Sequence, residues 1–475
     1  MKTTFIEEPQ LEFGGSGRHV DIRFGLMDFG PLDVGASRAA PRIRVGVVGS
    51  ADGIEGVATW IDRCTREIPG KPGRYPNLFP RFPGFSDDGQ FGTGLQIDSR
   101  LTRQLPAKVL TELAGLGRVE AVDRASTAFL EECRHLVESA GPDVIVIAPP
   151  RALLDAMDAP AERAESPDEE APYFHDVIKA RALPLAVPIQ MVRPETYDER
   201  QRPRQRGRSW MYQGTQDEAT RAWNFHTAVY YKAGGIPWRL PRDSTQLTTC
   251  YVGVSFYRST TGDRLQTSMA EVFNERGEGM VLRGGPAQID KADRTPHLSG
   301  QDATSLLSSA LAAYRTEHGT APARVVVHKS SRHLLEEIAG FAAAADEHRV
   351  GSRDLLSVGR TSFRAFRSGY YPPLRGSLIE LDSTNSVLFT KGSVDFFGVY
   401  PGMYIPSPLA LRMEDIEQTP RFLAGEVLAL TKMNWNNSQF DGALPITLRA
   451  ARQVGDILRH VGAEATIQAR YAFYM

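Results

Sequence analysis

Cysteine and clustered metal ligands are scarce in this chain of 475 residues. Its three cysteines, Cys64, Cys133 and Cys250, lie far apart in the sequence. This spacing indicates a reducing compartment and argues against a disulfide framework or a cysteine-rich zinc site. The 10 histidines are scattered, without an HExxH motif or paired CxxC motifs, so the sequence carries no strong zinc signal.

Long apolar runs and a large net charge are also missing. The first residues, MKTTFIEEPQ, contain no apolar signal core, and no apolar run approaches the ~20 residues that a membrane span needs. Lysine and arginine total 55 against 57 acidic residues, for a net charge of −2. We therefore expect a cytoplasmic protein with no membrane contact, in which nucleic-acid binding depends on local basic clusters.

Alternating strand and helix patterns predict an α/β architecture. Residues 1–36 are glycine-rich and predict an N-terminal arm or linker with one or two short strands. Residues 37–240 then alternate strands with helices, which predicts a parallel, doubly wound sheet. The strands are expected at 43–49, 143–148, 183–192 and 236–240, and the helices at about 52–67, 118–139 and 216–233.

The second half, residues 241–475, begins with strands and ends with helices. This order is compatible with an RNase H-like fold. The strands are predicted at 248–259, 269–285 (two strands), 323–329, 377–382 and 386–391, and the helices at 303–317, 332–346, 419–433 and 444–461.

Two arginine-rich stretches are candidates for phosphate-backbone contacts. In ERQRPRQRGRSW, every second residue from Arg200 to Arg208 is an arginine, including Arg204 and Arg206, and an extended chain would project them to one side. The alternative is a solvated loop. The second stretch, GRTSFRAFRSGYYPPLRG, interleaves aromatic residues with four arginines, namely Arg360, Arg364, Arg367 and Arg375.

Lys232 stands at a tightly built corner in AVYYKAGGIPWRL. A cation at a helix C-terminus followed by glycines is ordinary capping, and this is the simpler interpretation of the residue taken alone. A second motif, GVVGSADG (46–53), follows a strand but does not satisfy GxGxxG, so it favours a tight β–α turn over a dinucleotide loop.

Several stretches read together resemble a known family. NFHTAVYYKAGGIPW (224–238) and FHDVIKARALPLAVPIQ (174–190) resemble the MID domain of Argonaute proteins. LTKMNWNN (430–437) and LPITLRAARQVGDILRH (444–460) look like the closing helices of the PIWI domain. The resemblance implies a Rossmann-like MID domain followed by an RNase H-like PIWI domain. The length leaves no room for N-terminal and PAZ domains, so the chain resembles a short prokaryotic Argonaute.

The resemblance also implies a pocket for the 5′ phosphate of a guide strand. His175, Lys179, Gln190 and Lys232 fall on the family's pattern, as does Asn224. In the family, the C-terminal carboxylate also enters the pocket, often with a divalent cation. In this chain that carboxylate belongs to Met475, so bound Mg²⁺ is expected as a possible cofactor. The archetypal short member has a metal-binding glutamine at the position of Ala228, and alanine supplies no ligand.

The PIWI half departs from the pattern of a nucleic-acid-cleaving Argonaute. The family's catalytic positions, which normally include several carboxylates, fall near Ser255, Ser330 and Thr447. A serine hydroxyl lacks the negative charge that holds the two metal ions, so we expect no cleavage and no catalytic residues.

Short, inactive Argonautes of this kind carry guide RNA, recognise single-stranded plasmid or phage DNA, and activate an APAZ-domain partner. The partner's effector is a sirtuin-like or TIR NAD-consuming domain, or a nuclease. We therefore expect a guide-dependent recognition subunit of a prokaryotic immune system. Two alternatives remain open at this stage: a guided endonuclease with a non-standard metal site, and a small-molecule α/β enzyme that uses GVVGSADG.

Overall fold

The computed structural model describes most of the chain. The described residues are 1–35, 42–158, 172–198, 204–206, 209–211, 216–241, 245–260, 265–273, 279–290, 294–366, 372–402, 405–439, 442–462 and 465–475. Side chains are not described for 204–206, 209–211 and 268–273.

The N-terminal arm is docked on the body of the protein. It contains β1 (Lys2–Phe5), β2 (Leu11–Glu12), β3 (Arg18–His19) and α1 (Ile22–Phe29). β1 pairs antiparallel with Ser377–Glu380 and so forms an edge strand of the second-half sheet. Leu11 and Phe13 are fully buried in a core shared with later segments. The arm therefore packs as part of the fold along the residues described.

The first half contains a five-stranded parallel sheet. Its order is β5-β4-β7-β8, and β6 also pairs with β4. Its strands are β4 (Arg42–Gly49), β5 (Gly94–Gln96), β6 (Thr102–Gln104), β7 (Val144–Ala148) and β8 (Ile189–Met191). The runs RIRVGVVG and VIVIA are almost continuously apolar because helices cover both faces of a parallel sheet.

The helices of this half pack on that sheet. They are α2 (Ala51–Arg63), α3 (Ala107–Ala114), α4 (Arg118–Ala140), α5 (Arg151–Met157), α6 (Phe174–Ala182) and α7 (Glu218–Lys232). Between α6 and α7, β9 (Arg204–Arg206) and β10 (Ser209–Met211) form a small antiparallel hairpin. The predicted doubly wound α/β arrangement is confirmed.

The second half is built on a nine-stranded sheet of order β1-β18-β19-β20-β17-β16-β11-β12-β13. β11, β16 and β17 are parallel to one another, whereas β12, β13 and β20 run antiparallel to their neighbours. Besides β1, the strands of this sheet are β11 (Thr249–Arg258), β12 (Leu265–Phe273), β13 (Val281–Pro286), β16 (Arg324–Lys329), β17 (Ser352–Arg360), β18 (Ser377–Glu380), β19 (Asn385–Leu388) and β20 (Leu409–Asp415). β14 (Gln288–Ile289) and β15 (Pro296–His297) form a separate antiparallel pair.

Four helices complete this half. They are α8 (Gly300–His318), α9 (Leu335–Glu347), α10 (Pro420–Leu430) and α11 (Ile446–Leu458). α8 and α9 contribute to one apolar core against the sheet, and α10 and α11 contribute to another. Strands first and helices last is the predicted RNase H-like order. None of the helices in the described part of the chain combines the length and apolar composition needed to cross a bilayer.

The strand predicted at 236–240 is wrong. Within that stretch only Arg239 forms a bridge, with Glu12 of the arm. Pro237 has no N–H to donate to a ladder, and the buried Trp238 donates its indole N–H to the carbonyl of Lys432 at 3.1 Å. The segment therefore joins the two halves through a buried side chain. A core that includes Tyr231, Trp435 and the C-terminal residues lies at the same junction.

Candidate functional site

Two lysines from different helices meet at β8. Lys179 of α6 and Lys232 of α7 are each only 1% exposed. The Lys179 ammonium donates to the carbonyl of Ile189 at 3.0 Å, and Lys232 donates to the Gln190 Oε1. Because these acceptors belong to consecutive residues of β8, the structure brings together three of the residues predicted to bind phosphate.

The end of α7 fixes Lys232 in place. Gly234 has a φ of 103°, in the left-handed region that favours glycine, and the Gly235 N–H donates to the Tyr230 carbonyl at 3.0 Å. A Cβ at Gly235 would lie 2.3 Å from the Tyr230 ring, so the second glycine is required by packing. The capping interpretation is correct, and it also holds Lys232 at a defined point.

The lysine pocket is built from cations with neutral partners. Among the residues that the structure describes, no carboxylate lies within ion-pair distance of Lys179 or Lys232. Burial lowers the pKa of Lys179 to about 7, and the more distant Asp176 carboxylate opposes this shift. Burial and the nearby Lys179 charge hold the pKa of Lys232 well below its usual range. An anionic ligand would relieve both effects.

His175 lies one helical turn before Lys179 and therefore on the same side of α6. Its Nδ1 is 2.7 Å from the Asp176 carboxylate. Burial lowers the pKa of His175, the hydrogen bond to Asp176 raises it, and the charges of Lys179 and Lys232 lower it further. These influences place the imidazole in the electrostatic environment of the two lysines, with Asp176 as its hydrogen-bond partner.

Met475 is buried in the core between the two halves of the chain, with 2% of its surface exposed. The turn before it, Tyr471–Phe473, packs against α7, and Gln453 donates to the Tyr474 carbonyl at 2.9 Å. Within the described part of the chain, no ion pair joins the Met475 carboxylate to either lysine. Its predicted role in the pocket stays a prediction.

The donor atoms near the lysines do not suit a divalent cation. Gln190 Oε1 accepts from Lys232, and Ala228 provides no ligand atom. No group of three or more histidine, cysteine, aspartate or glutamate side chains placed to hold a metal occurs in the ranges that the structure describes. Hard cations such as Mg²⁺ need several oxygen ligands, so these residues do not fit the expected ion.

Arg452 is a candidate that sequence reasoning missed. It lies on α11, which packs against α6, the helix of Lys179. Burial and the nearby charge of Arg360 lower the pKa of Arg452. An anion near Arg452 would oppose both effects. The sequence did contain one signal for a basic helix face. Arg449 and Arg452 are three residues apart on a predicted helix, so they lie on the same side of it.

One arginine of the two predicted clusters, Arg375, differs from expectation. Arg360 and Arg364 are exposed, and Arg364 donates to the Phe363 carbonyl at 2.8 Å. Arg375 is instead buried, with its Nε 2.8 Å from Glu8 of the arm, so it does not belong to an exposed cluster. Arg367 and Arg208 lie outside the described residues, as do Arg200 and Arg202. Arg204 and Arg206 lie in β9, but only their backbone is described.

The three positions predicted to be degenerate catalytic positions, Ser255, Ser330 and Thr447, lie near the carboxyl ends of β11 and β16. Ser255 is buried on β11, and the N–H of Ser330 donates to the Val254 carbonyl at 3.1 Å. The Thr447 hydroxyl lies 2.9 Å from Nδ1 of His328, which is fully buried. Burial lowers the pKa of His328 to about 3, so the imidazole is neutral near neutral pH.

GVVGSADG forms a tight turn between β4 and α2. The Ser50 hydroxyl accepts from the Gly53 N–H at 3.1 Å and caps α2. A Cβ at Gly49 would lie 2.5 Å from the Ala148 carbonyl, and one at Gly53 would lie 2.9 Å from it. The glycines therefore allow close packing of the turn against β7, as the β–α turn interpretation predicts.

Asn224 lies about two helical turns before Lys232 on α7 and ties this helix to the second half. Its Oδ1 accepts from the Ser438 N–H at 3.1 Å and from the Ser438 hydroxyl at 3.0 Å. Its amide N–H donates to Gln216 at 3.1 Å. Asn224 therefore positions the lysine-bearing helix through the fully buried Ser438.

Comparison with known proteins identifies the architecture. No protein-family model and no curated protein sequence matches the chain. Solved structures do. Clostridium butyricum Argonaute, bound to a guide DNA and a 19-mer target DNA, superposes with a TM-score of 0.65 at 15% identity, covering 99% of this chain and 54% of that one. The chain has the Argonaute MID–PIWI fold.

Other Argonaute structures agree. A. aeolicus Argonaute superposes with a TM-score of 0.63 at 14% identity, over 99% of this chain and 55% of its own. Drosophila Piwi superposes with a TM-score of 0.60 at 14% identity, over 99% of this chain and 56% of its own. The chain thus spans just over half the length of these Argonaute-family structures. In this frame, the lysine pocket lies in the MID-like half, and Ser255, Ser330 and Thr447 lie in the PIWI-like half.

Proposed function

We propose that this protein is the guide-dependent nucleic-acid recognition subunit of a prokaryotic immune system. It holds a guide RNA by its 5′ phosphate and presents the guide bases for pairing with single-stranded plasmid or phage DNA. The observation that carries this proposal is the meeting of Lys179, Gln190 and Lys232 at β8.

The chemistry of the pocket favours a terminal phosphate. Such a group carries roughly −1.5 to −2 charge near neutral pH, enough to match two ammonium groups. Lys179 and Lys232 supply charge-assisted hydrogen bonds, and Gln190 and His175 supply neutral ones. A phosphodiester within a strand carries a single charge and does not match the pair as well. Recognition is therefore expected to begin at the end of a strand.

The guide backbone is proposed to continue from the pocket toward Arg452 and Arg360. α11 carries Arg452 and packs on the helix of Lys179. Internal phosphates give electrostatic affinity without sequence readout, so sequence would be read by base pairing with the target. Arg364, and the arginines at 204, 206, 208 and 367, remain predicted backbone contacts.

We also propose that the PIWI half does not cleave nucleic acid. Ser255, Ser330 and Thr447 supply hydroxyl groups where two-metal hydrolysis needs carboxylates to hold the cations. Mg²⁺ in the guide pocket stays a prediction that the described donors do not favour. The response to a target is then assigned to an APAZ-domain partner with a NAD-consuming or nuclease effector, which target pairing activates.

Guide binding is tested with oligonucleotides that differ only at the 5′ end. The double variant Lys179→Met, Lys232→Met should bind 5′-phosphorylated RNA at least about 100-fold more weakly, because two charge-assisted contacts are lost. It should keep the residual affinity seen for 5′-hydroxyl RNA. Lys108→Met, which removes an exposed lysine of α3, is the matched control and should bind as the wild type does.

Fluorescence anisotropy gives the affinities, and circular dichroism verifies that the variants fold. Equal binding of phosphate and hydroxyl ends by the wild-type protein would remove the basis of the proposed pocket.

Arg452→Gln should weaken the binding of phosphate-ended and hydroxyl-ended RNA by the same factor, because Arg452 is proposed to contact an internal phosphate.

Cleavage is tested separately. Wild-type protein with guide RNA, matched DNA and either Mg²⁺ or Mn²⁺ should leave the target intact. A cut product that disappears when a chelator is added would favour the guided endonuclease instead. Purification from the native host, followed by identification of the bound protein and strand, tests the APAZ partner and the guide chemistry.

A further inference from the structure

The lysine pocket contains two buried lysines, and neither forms an ion pair with a carboxylate in the part of the chain that the structure describes. The Lys179 partner is a backbone carbonyl and the Lys232 partner is a side-chain amide. Each of these acceptors is neutral. A buried cation without an anionic partner is costly, and two adjacent ones also repel each other. The empty pocket therefore holds fewer protons than two ordinary lysines would hold at neutral pH.

We propose that phosphate loading takes up protons from solvent onto the Lys179–Lys232 pair, so that guide affinity falls as pH rises above neutrality. The proposal rests on the proposed function of the same pocket. It adds a chemical consequence: the pocket becomes fully charged only when the strand end arrives. Loading at a slightly acidic or neutral pH would then be favoured, and release would be favoured in alkaline solution.

The balance of charge in this step is simple. A deprotonated lysine amine gains a proton from a buffer acid, and the resulting ammonium faces the phosphate dianion. The dianion stabilises the charged form of each lysine, which opposes the burial that lowers the pKa of both. Because the phosphate's own second pKa is about 6, the phosphate is a dianion above about pH 7 and contributes little to the proton count there.

Other titratable groups lie on the elements packed around the pocket, and the Met475 carboxylate follows the turn that packs against α7. α6 itself carries His175 and Asp176, and the neighbouring α4 carries Asp123, which is paired with Arg181 of α6. The α11 side contributes Arg452, Asp456, Arg459 and His460. Of these, Asp176 is the anion that acts on Lys179. Of the two histidines, His175 is the one on which the charges of both lysines act, so it is the imidazole that competes with them for a proton on loading.

Isothermal titration calorimetry measures the proton number directly. A 5′-phosphorylated RNA is titrated into the wild-type protein at about pH 8, in buffers that differ in ionisation enthalpy. We expect an uptake of about 0.5–2 protons per strand, and an affinity loss of up to roughly tenfold per pH unit for each proton taken up. Tight binding with no net uptake between about pH 7.5 and 9 would overturn the proposal.

Two variants test which side chain takes up the proton. His175→Asn should leave the uptake unchanged if the lysines receive it, and loss of the uptake in this variant would move the site to the imidazole and sink the proposal. Lys179→Arg keeps a charge that does not titrate and should reduce the uptake. If Lys179→Arg fails to fold, the wild-type and His175→Asn data still decide the question. No binding of phosphorylated RNA at any pH would instead refute the proposed function itself.

Discussion

The MID-like and PIWI-like halves bury cations in different ways. In the PIWI-like half, Lys329 lies 2.7 Å from the Glu337 carboxylate, and both side chains are fully buried. Arg324 pairs with Asp354 and Glu426, each at 2.6 Å. In the MID-like half, Lys179 and Lys232 are just as buried but are hydrogen-bonded to neutral oxygens.

This difference separates cations that are paired within the protein from cations that could receive an anionic ligand. A buried cation with a carboxylate beside it is satisfied within the protein and stabilises its arrangement. A buried cation with a neutral acceptor costs stability until an anion arrives, which is a common feature of binding sites. The same contrast holds at Lys432, whose Nζ lies 3.1 Å from Glu8 of the N-terminal arm.

The strongest test of the contrast removes a carboxylate from the PIWI-like half. Glu337 accepts from the N–H groups of Leu298 and Leu334 in addition to pairing with Lys329. Glu337→Gln should lower the free energy of unfolding by about 3–5 kcal/mol, because a buried ammonium loses its partner. The urea midpoint measures this loss. Glu336→Gln, at the exposed neighbour on α9, should change it by less than about 0.5 kcal/mol.

A second test should change the free energy of unfolding in opposite directions in the two halves. Lys232→Met should raise the free energy of unfolding of the unliganded protein by about 1–4 kcal/mol, because a buried charge without an anionic partner becomes apolar. Lys329→Met should lower it, because Glu337 is left unpaired. Urea unfolding of both variants is compared with the wild type. Destabilisation of similar size in both would erase the distinction.

The pH dependence of stability sharpens the comparison further. The pKa of Lys179 falls from 10.5 to about 7 on folding, so the unfolded chain binds more protons between these values. Its contribution therefore makes stability rise with pH in that window, by about 1 kcal/mol per pH unit. Lys179→Met lacks this titrating group. Its stability advantage over the wild type should therefore shrink by about 1 kcal/mol for each pH unit between about pH 7.5 and 9. Lys108→Met should show no such trend.

The smallest expected effect concerns the contact between the halves. Asn224→Ala removes two hydrogen bonds from Ser438 and should cost about 1–2 kcal/mol of stability. Gln216→Ala, which removes only the exposed partner of the Asn224 amide, should cost less. Thermal unfolding compares them. An equal loss in both variants would mean that Asn224 does not link the halves.

Much of the fold was readable from local pattern. Apolar runs such as VIVIA and periodic helices such as 118–140 lie within a few residues of their predicted positions. The strands Ser352–Arg360 and Leu409–Asp415 were not predicted. Polar residues such as Arg353 and Asp354 interrupt the first of them, and the partners that neutralise these charges, Asp415 and Arg324, are distant in sequence.

The residues of the candidate site also divide into those predicted from local sequence and those that only the tertiary structure revealed. His175, Lys179, Gln190 and Lys232 were predicted from short motifs that resemble the MID domain of Argonaute proteins, and such motifs are local features of the sequence. Arg452 was missed, because its significance depends on Arg360, which lies on a strand far away in sequence. Arg375 was misplaced for the related reason that Glu8, 367 residues away, draws it into the interior.

The sequence by itself determined most of the helices and the apolar strands, and which lysines follow apolar runs. Periodicity and capping act over a few residues, so a linear reading contains them. Only the tertiary structure decided which buried cations obtain a carboxylate, because Arg324 meets Glu426 across 102 residues while Lys179 and Lys232 meet neutral oxygens of β8. Charge pairing depends on distance in space, and that distance is set only when the sheets and helices pack.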